Sequence, residues 1–197
     1  MSKEWGRSAR HGAAGGRNAR WTLDMGRRHF LAAAGSSLFA PRAALAQAGA
    51  RALAFDNLHT GEKLKVDYWV NGQYLPDALA EVNHVLRDFR TGEVHPIAPG
   101  LLDLLASLRA RLETSQPIVV ISGYRSPLTN ARLRGAHEHS GVASKSLHMQ
   151  GMATDIRIPG RSLAAVHTAA LAQRGGGVGF YPTSDFVHVD VGRVRVW

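Results

Sequence analysis

After residue 50, short apolar runs typical of strands are interspersed with segments whose apolar residues recur at spacings of three and four, as in helices. This pattern predicts a fold that mixes strands with helices. Short β-prone runs cover residues 53–55 and 64–70, and Asn71-Gly72 is a strong turn signal that leads into Gln73-Tyr74. We expect these segments to form a small β-meander.

Apolar residues at spacings of three and four predict two helices after the meander, over about 76–90 and 99–114. A continuous apolar run over 117–122 has the character of a buried central strand. Turn and cap signals predict the remaining elements: a short helix to Leu133, a strand over 153–158, a helix over 162–174 with Ser162 as its N-cap, and strands over 178–181, 186–191 and 193–197. This order predicts an α+β fold in which helices flank an antiparallel sheet.

The first 46 residues have the pattern of an export signal. Arg27 and Arg28 precede an apolar run, and Ala44-Leu45-Ala46 has the small-x-small spacing of a signal-peptidase site. The paired arginines are similar to a twin-arginine signal, with an ordinary secretory signal as the alternative. Because the apolar run is shorter than the about 20 residues that a permanent membrane helix requires, no transmembrane anchor is expected after processing.

These signals divide the chain into two parts. We expect residues 1–46 to be the export signal with a disordered N-terminus, with translation starting at Met1 or Met25, and residues 47–197 to be one domain in the periplasm or cell envelope. The first part holds +6 of the formal charge of +9, which leaves +3 and no dense basic stripe on the second. Nucleic acid is therefore not an expected partner. The chain has no cysteine, which excludes thiol catalysis and cysteine-ligated zinc.

Three side chains in the second half form a candidate metal site. Asp155 lies near the start of a predicted strand, and His148 approaches this strand through a loop in which Gly151 permits a tight backbone path. His188 is a polar residue in an apolar strand, where alternation places it on the face opposite its valine neighbours. If the two strands are neighbours, the three side chains converge on one cation. Two imidazoles, one carboxylate and an open position are typical of catalytic zinc, although manganese or cobalt satisfies the same ligands.

Three motifs, in order along the chain, resemble the D-alanyl-D-alanine metallopeptidase superfamily, which also contains lysostaphin-like enzymes and the hedgehog signalling domain. They are Ser122-Gly-Tyr-Arg125-Ser-Pro127, the S-x-H-x-x-G-x-A-x-D pattern of residues 146–155, and Phe186-Val-His188-Val-Asp190-Val-Gly192. The likeness covers about residues 55–197 and is strongest to the branch of murein endopeptidase K. It implies that His148, Asp155 and His188 bind zinc.

The resemblance also implies a general base. Asp185, three residues before His188, stands where family members have that base, and Asp190 is the alternative base or a partner that orients an imidazole. On physical grounds, Arg125 is suited to stabilise the oxyanion of amide hydrolysis or to bind a substrate carboxylate, with a structural salt bridge as the alternative. The remaining candidates for substrate binding, or for bracing the site, are Ser146 and Tyr181.

The expected function is that of an exported zinc peptidase, which hydrolyses amide bonds in peptidoglycan stem peptides or cross-links. An endopeptidase is favoured over a D,D-carboxypeptidase. The alternative is a non-catalytic wall-binding domain with a structural metal, as in the hedgehog relative. A third candidate is a metal-carrying chaperone that uses His137 and His139. Peptidoglycan is the expected partner, and the sequence identifies no recruiting lipoprotein.

Overall fold

A single mixed sheet organises the part of the chain that the computed structural model describes, which is residues 49–136 and 142–197. The strands within these ranges are β1 (Ala50–Asn57), β2 (Lys63–Val70), β3 (Gln73–Tyr74), β4 (Ile118–Ser122), β5 (Ala153–Arg157), β6 (Gly177–Tyr181), β7 (Phe186–Asp190) and β8 (Arg195–Val196). The α-helices are α1 (Pro76–Val85), α2 (Pro99–Arg111), α3 (Pro127–Gly135) and α4 (Leu163–Gln173), and a 3₁₀ turn covers Leu147–Gln150. The predicted export signal and the histidines at 137 and 139 lie outside the described residues.

The eight strands lie in the order β3-β2-β1-β4-β5-β7-β6-β8. The first three form the predicted antiparallel meander, and β4, β5, β7 and β6 are also antiparallel neighbours. The prediction of a wholly antiparallel sheet is wrong, because β1 pairs with β4 and β6 pairs with β8 in parallel. Parallel neighbours require a crossover, and the chain supplies one between β1 and β4 through α1 and α2.

Local signals set the ends of the helices. Proline occupies the first turn of α1, α2 and α3, where its missing N–H leaves no bond unmade. Ser162 caps α4 as predicted, since its side chain accepts the Ala165 N–H at 3.2 Å. Helix α1 ends earlier than predicted, because the carbonyl of Leu86 accepts a bond from Tyr124 N, 2.7 Å away in another part of the chain.

The apolar core lies between the sheet and helices α1, α2 and α4. Helix α1 packs on β2, α2 packs on β1 and α4, and α4 packs on β6 and β7. In β5 and β7 the apolar residues of the core cluster are Ile156, Val187 and Val189. Since side chains alternate along a strand, Asp155 and His188 lie on the opposite face of the sheet. No helix of the described residues has both the length and the apolar character to span a bilayer.

Candidate metal centre

Strand pairing brings two of the three predicted ligands together. Asp155 in β5 is directly opposite His188 in the antiparallel partner β7. On the other side of β5, a register shift between Val120 and Ser122 places Ser122 opposite Asp155. This irregularity turns a polar residue toward the same face, at the end of an otherwise apolar strand.

The third residue, His148, comes from the 3₁₀ turn before β5, which ends at Gly151 with φ 64°. A side chain at this position would clash with the backbone carbonyl of Pro96 and would lie 3.2 Å from the ring of His95. Glycine is therefore required for two reasons, the left-handed backbone and the close approach of another segment. The predicted tight path of this loop is confirmed.

The ligand atoms of the three side chains form a small triangle. His148 Nε2 lies 3.2 Å from His188 Nδ1 and 3.3 Å from Asp155 Oδ1, and His188 Nδ1 lies 2.9 Å from the same carboxylate oxygen. All three residues are buried. Atoms that share a tetrahedral zinc ion at 2.0–2.1 Å lie about 3.3 Å apart, so the triangle has the size that such an ion requires.

The second nitrogen of each imidazole is held by an acceptor. His148 Nδ1 lies 2.7 Å from the carbonyl oxygen of Gly123, and His188 Nε2 lies 3.0 Å from Asp190 Oδ2. These nitrogens must carry the proton, so in the neutral rings His148 Nε2 and His188 Nδ1 each present a lone pair. Two lone pairs and a carboxylate oxygen then face one another with no proton between them. A cation resolves this arrangement, and the residues present fit one.

The electrostatics of the cluster favour positive charge at its centre. Burial would raise the pKa of Asp155, but the neighbouring imidazoles, His148 foremost, outweigh it and hold this pKa below its usual range. Burial lowers the pKa of His148, against the attraction of Asp155. Burial also acts to lower the pKa of His188, but hydrogen bonds with Asp155 and Asp190 overcome it and raise this pKa. A proton on His188 or a metal ion neutralises the same carboxylate.

Arg125 lies beside the triangle on the loop after β4. Its Nη2 donates to the Oγ of Ser122 and to the second carboxylate oxygen of Asp155, both at 3.3 Å. The guanidinium is buried, which lowers its pKa, while Asp155 acts to raise it. This carboxylate therefore offers one oxygen to the triangle and the other to Arg125.

The loop that carries Arg125 is anchored from two sides. The neighbouring Ser126 donates to Asp88 through its backbone N–H at 2.9 Å and through its hydroxyl at 2.6 Å. The backbone N–H of Arg125 donates to the carbonyl oxygen of His148 at 3.2 Å. The guanidinium and the imidazole of His148 are thus fixed relative to each other through the main chain.

The triangle opens on one side into a cavity of about 380 Å³. The candidates Arg125, Ser146 and Tyr181 line it. The lining also includes Lys145, Arg195 and Trp197, to which the sequence assigned no role. The only sequence signal for these two cavity residues was the spacing of two between Arg195 and Trp197, which places both on one face of an extended segment. That spacing could not be linked to the cavity without knowing that the last strand pairs with β6.

Comparison with known proteins gives the family. The family model described as peptidoglycan L,D-endopeptidase MepK matches residues 45–197. The peptidoglycan L,D-endopeptidase MepK of Escherichia coli K12 is 43% identical over 181 residues, which cover 89% of this chain and 98% of that protein. The probable peptidoglycan L,D-endopeptidase MepK of Haemophilus influenzae is 38% identical over 182 residues, 89% of this chain and 97% of that protein. This chain belongs to the MepK family.

The resemblance to this family predicted Asp185 or Asp190 as a general base, and the structure gives these residues different surroundings. Asp185 lies in the turn between β6 and β7 with φ 53°, forms an ion pair with Arg157, and is 60% exposed. It is not among the residues that line the cavity. Asp190 is fully buried and accepts hydrogen bonds from His188, Arg195 and two backbone N–H groups. Burial would raise the pKa of Asp190, but these bonds outweigh it and lower the pKa.

Proposed function

We propose that this member of the MepK family is an exported zinc metallopeptidase that hydrolyses amide bonds in peptidoglycan stem peptides or cross-links. The convergence of three metal-ligand atoms at the floor of an open cavity carries the proposal. The names of the relatives support peptidoglycan as the substrate and an endopeptidase over a carboxypeptidase. Export places the enzyme in the periplasm, where its substrate lies, and depends on the predicted signal over residues 1–46.

His148, Asp155 and His188 would hold the ion, with their ligand atoms 2.9–3.3 Å apart. When bound, zinc supplies a Lewis acid that polarises a carbonyl and lowers the pKa of a water to about 7. The side of the triangle that faces the cavity leaves room for this water and for a substrate carbonyl. A structural metal site would have this position closed by a fourth protein ligand.

Arg125 would stabilise the oxyanion that forms when water adds to the amide. The guanidinium is pre-positioned by Ser122 and Asp155 and lies in a buried setting, where its charge is weakly screened. Nη2 donates to both Ser122 and Asp155, and Nε is enclosed, so Nη1 would supply the donors for a substrate oxygen.

Asp185 would take the proton of the attacking water and pass it to the leaving amine. Its carboxylate lies against Arg157 in the structure, so this role requires a change of rotamer that breaks the ion pair. The pair is largely exposed, and such pairs contribute at most about 1 kcal/mol. Asp190 would instead orient His188, because its oxygens are already occupied by donors.

The decisive experiment is digestion of purified peptidoglycan sacculi by the protein. We expect new muropeptides in the presence of zinc, none after chelation, and recovery when zinc is added back. Asp155→Ala, which removes one ligand, should be inactive at every zinc concentration, whereas His84→Ala, at an exposed histidine of α1, should retain full activity. An unchanged muropeptide profile with zinc-loaded protein would contradict the proposal. Co-sedimentation of that inactive protein with sacculi would then indicate the wall-binding alternative.

A further inference from the structure

An absent side chain beside the metal centre creates space for an indole. Gly179 in β6 is directly opposite His188 in β7. A side chain at Gly179 would lie 2.8 Å from Nε1 of Trp197 and 2.9 Å from the ring of Tyr181. Trp197 therefore occupies the position that any larger residue at 179 would fill.

The backbone holds Trp197 in this place. Its N–H donates to the carbonyl oxygen of Val178 at 3.2 Å, and its carbonyl oxygen accepts the Phe180 N–H at 3.1 Å. The indole lies 5.1 Å from the ring of His188, between centroids, and the guanidinium of Arg195 lies 4.8 Å from its centre. The side chain is nevertheless 48% exposed and lines the cavity. A half-exposed indole thus forms part of the cavity wall.

The indole N–H fixes the hydroxyl of a second residue in this wall. Nε1 of Trp197 donates to Oη of Tyr181 at 2.6 Å. An indole nitrogen donates and never accepts, so the phenol oxygen must be the acceptor and its own hydrogen must point elsewhere. The Tyr181 ring is stacked on Phe186, with centroids 4.6 Å apart, and both rings line the cavity. No other described residue accepts a hydrogen bond from this hydroxyl.

We propose that Tyr181 is a substrate-binding residue whose O–H donates to a carbonyl or carboxylate oxygen of the bound peptide, and that Trp197 is the positioning residue that orients this O–H. The inference rests on the proposed function, since it names a contact of the same substrate. Trp197 acts only through Tyr181. Because the indole N–H donates to the phenol oxygen, the phenol hydrogen is directed away from the indole. Gly179 is the position in the sequence that makes the pairing sterically feasible.

The test is a double-mutant cycle with a cross-linked muropeptide dimer as substrate. Tyr181→Phe should raise KM about tenfold and leave kcat within about twofold, because one neutral hydrogen bond to the ground state is lost. Trp197→Phe, which removes the N–H and retains an aromatic ring, should raise KM by a smaller factor. In the Tyr181→Phe background, Trp197→Phe should add nothing. Val196→Ala, at an exposed position of the same strand, is the matched control and should change neither constant.

Additive effects in the double variant would overturn the role of Trp197, and unchanged KM in Tyr181→Phe would overturn the role of Tyr181. Equal losses in kcat and kcat/KM would assign the hydroxyl to the transition state and overturn ground-state binding. These results are distinct from failure of the proposed function, in which the wild-type protein with zinc would not cleave the dimer at all.

A readout independent of catalysis tests the hydrogen bond itself. In ¹⁵N-labelled protein, the indole N–H resonance of Trp197, assigned by its loss in Trp197→Phe, should exchange slowly with solvent. Tyr181→Phe should speed this exchange and shift the resonance. Gly179→Ala should have the same effect, since the added methyl displaces the indole. An indole resonance that neither substitution changes would show that the bond is absent and would overturn the proposal.

Discussion

At the scale of single residues, the two nitrogens of His188 face two carboxylates with different roles. One is a candidate metal ligand, and the other holds the imidazole ring. Nδ1 lies 2.9 Å from Asp155 Oδ1 inside the ligand triangle, and Nε2 lies 3.0 Å from Asp190 Oδ2 outside it. The outer carboxylate fixes the ring and its tautomer, and a partner of this kind typically contributes 10–100-fold in metal affinity. The two nearby aspartates, Asp185 and Asp190, can therefore be separated by what each substitution changes.

Asp190→Asn should lower zinc affinity about 10–100-fold, because the amide weakens the charged hydrogen bond to His188. Asp185→Asn should leave zinc affinity unchanged and slow hydrolysis about 10²–10⁴-fold, because it removes the proposed base. Zinc titration by calorimetry and steady-state hydrolysis, on both variants, measure the two effects. Loss of zinc affinity in Asp185→Asn, or full hydrolysis by it, would refute this assignment.

Local patterns place Asp155 and His188 in strands and His148 on a glycine-containing turn, because period-two alternation and glycine turns are local properties of the chain. That the two strands are neighbours does not follow from spacing, and the set of three ligands was implied by the family resemblance. The surroundings of the cluster were not predictable in this way. Trp197 contacts His188 only because β8 adds to the edge of β6 in parallel, and no local pattern specifies which edge a short strand joins.

At the scale of elements, the hydrophobic periods predict the meander, the helices and the central strand near their observed positions. They do not determine strand direction, because a buried strand has the same apolar run in either orientation. The crossover through α1 and α2 makes β1 and β4 parallel. The early end of α1 likewise depends on a distant partner, the N–H of Tyr124.

The turn before β5 provides an element-scale prediction with a matched control. Gly151 and Gly160 both have positive φ, of 64° and 73°, but only Gly151 has other atoms where a side chain would lie. Gly160→Ala should cost about 1 kcal/mol from backbone strain alone. Gly151→Ala should cost about 2–4 kcal/mol and lower zinc affinity, since relief of the clash with Pro96 moves the turn that carries His148. Urea unfolding and zinc titration measure both, and equal costs would contradict the steric argument.

The anchor of the Arg125 loop predicts a pH dependence of stability. Burial would raise the pKa of Asp88, but hydrogen bonds from Ser126 and from the Arg90 N–H outweigh it and lower this pKa to about 2. Because the folded-state pKa lies below the unfolded one of about 3.9, the stabilisation is complete above that value and is lost as pH falls toward 2.

Asp88→Asn should therefore lower the free energy of unfolding by about 2 kcal/mol at pH 7, with the difference from wild type shrinking between pH 4 and pH 2. Urea unfolding across this range measures it. Asp67→Asn, at an exposed position of β2, should show no such difference. A constant gap between Asp88→Asn and wild type at all pH values would contradict the role of the ionised carboxylate.

At the scale of the whole molecule, the family model matches residues 45–197, and the three candidate ligands lie within that match. The part before residue 47 carries most of the formal charge and is proposed to be removed after export. A chain of residues 47–197 should therefore contain everything that zinc binding requires.

Such a chain should fold, and zinc at about 100 times its Kd should stabilise it by about 2.7 kcal/mol, which raises Tm by about 5–10 °C. Differential scanning calorimetry with and without chelator measures the shift. Asp155→Ala in the same chain should show no zinc-dependent shift. A chain of residues 47–197 that stays unfolded with zinc present would refute the proposed domain boundary.

The direct pairing of Asp155 with His188 also bears on how the sheet is assembled. A slip of β7 by one position would turn His188 into the apolar core and bring a valine to the cluster. An ion held by both side chains is therefore incompatible with a slip of these two strands by one position. Apart from any role in hydrolysis, a bound ion would therefore favour the native register of β5 and β7 over this slip.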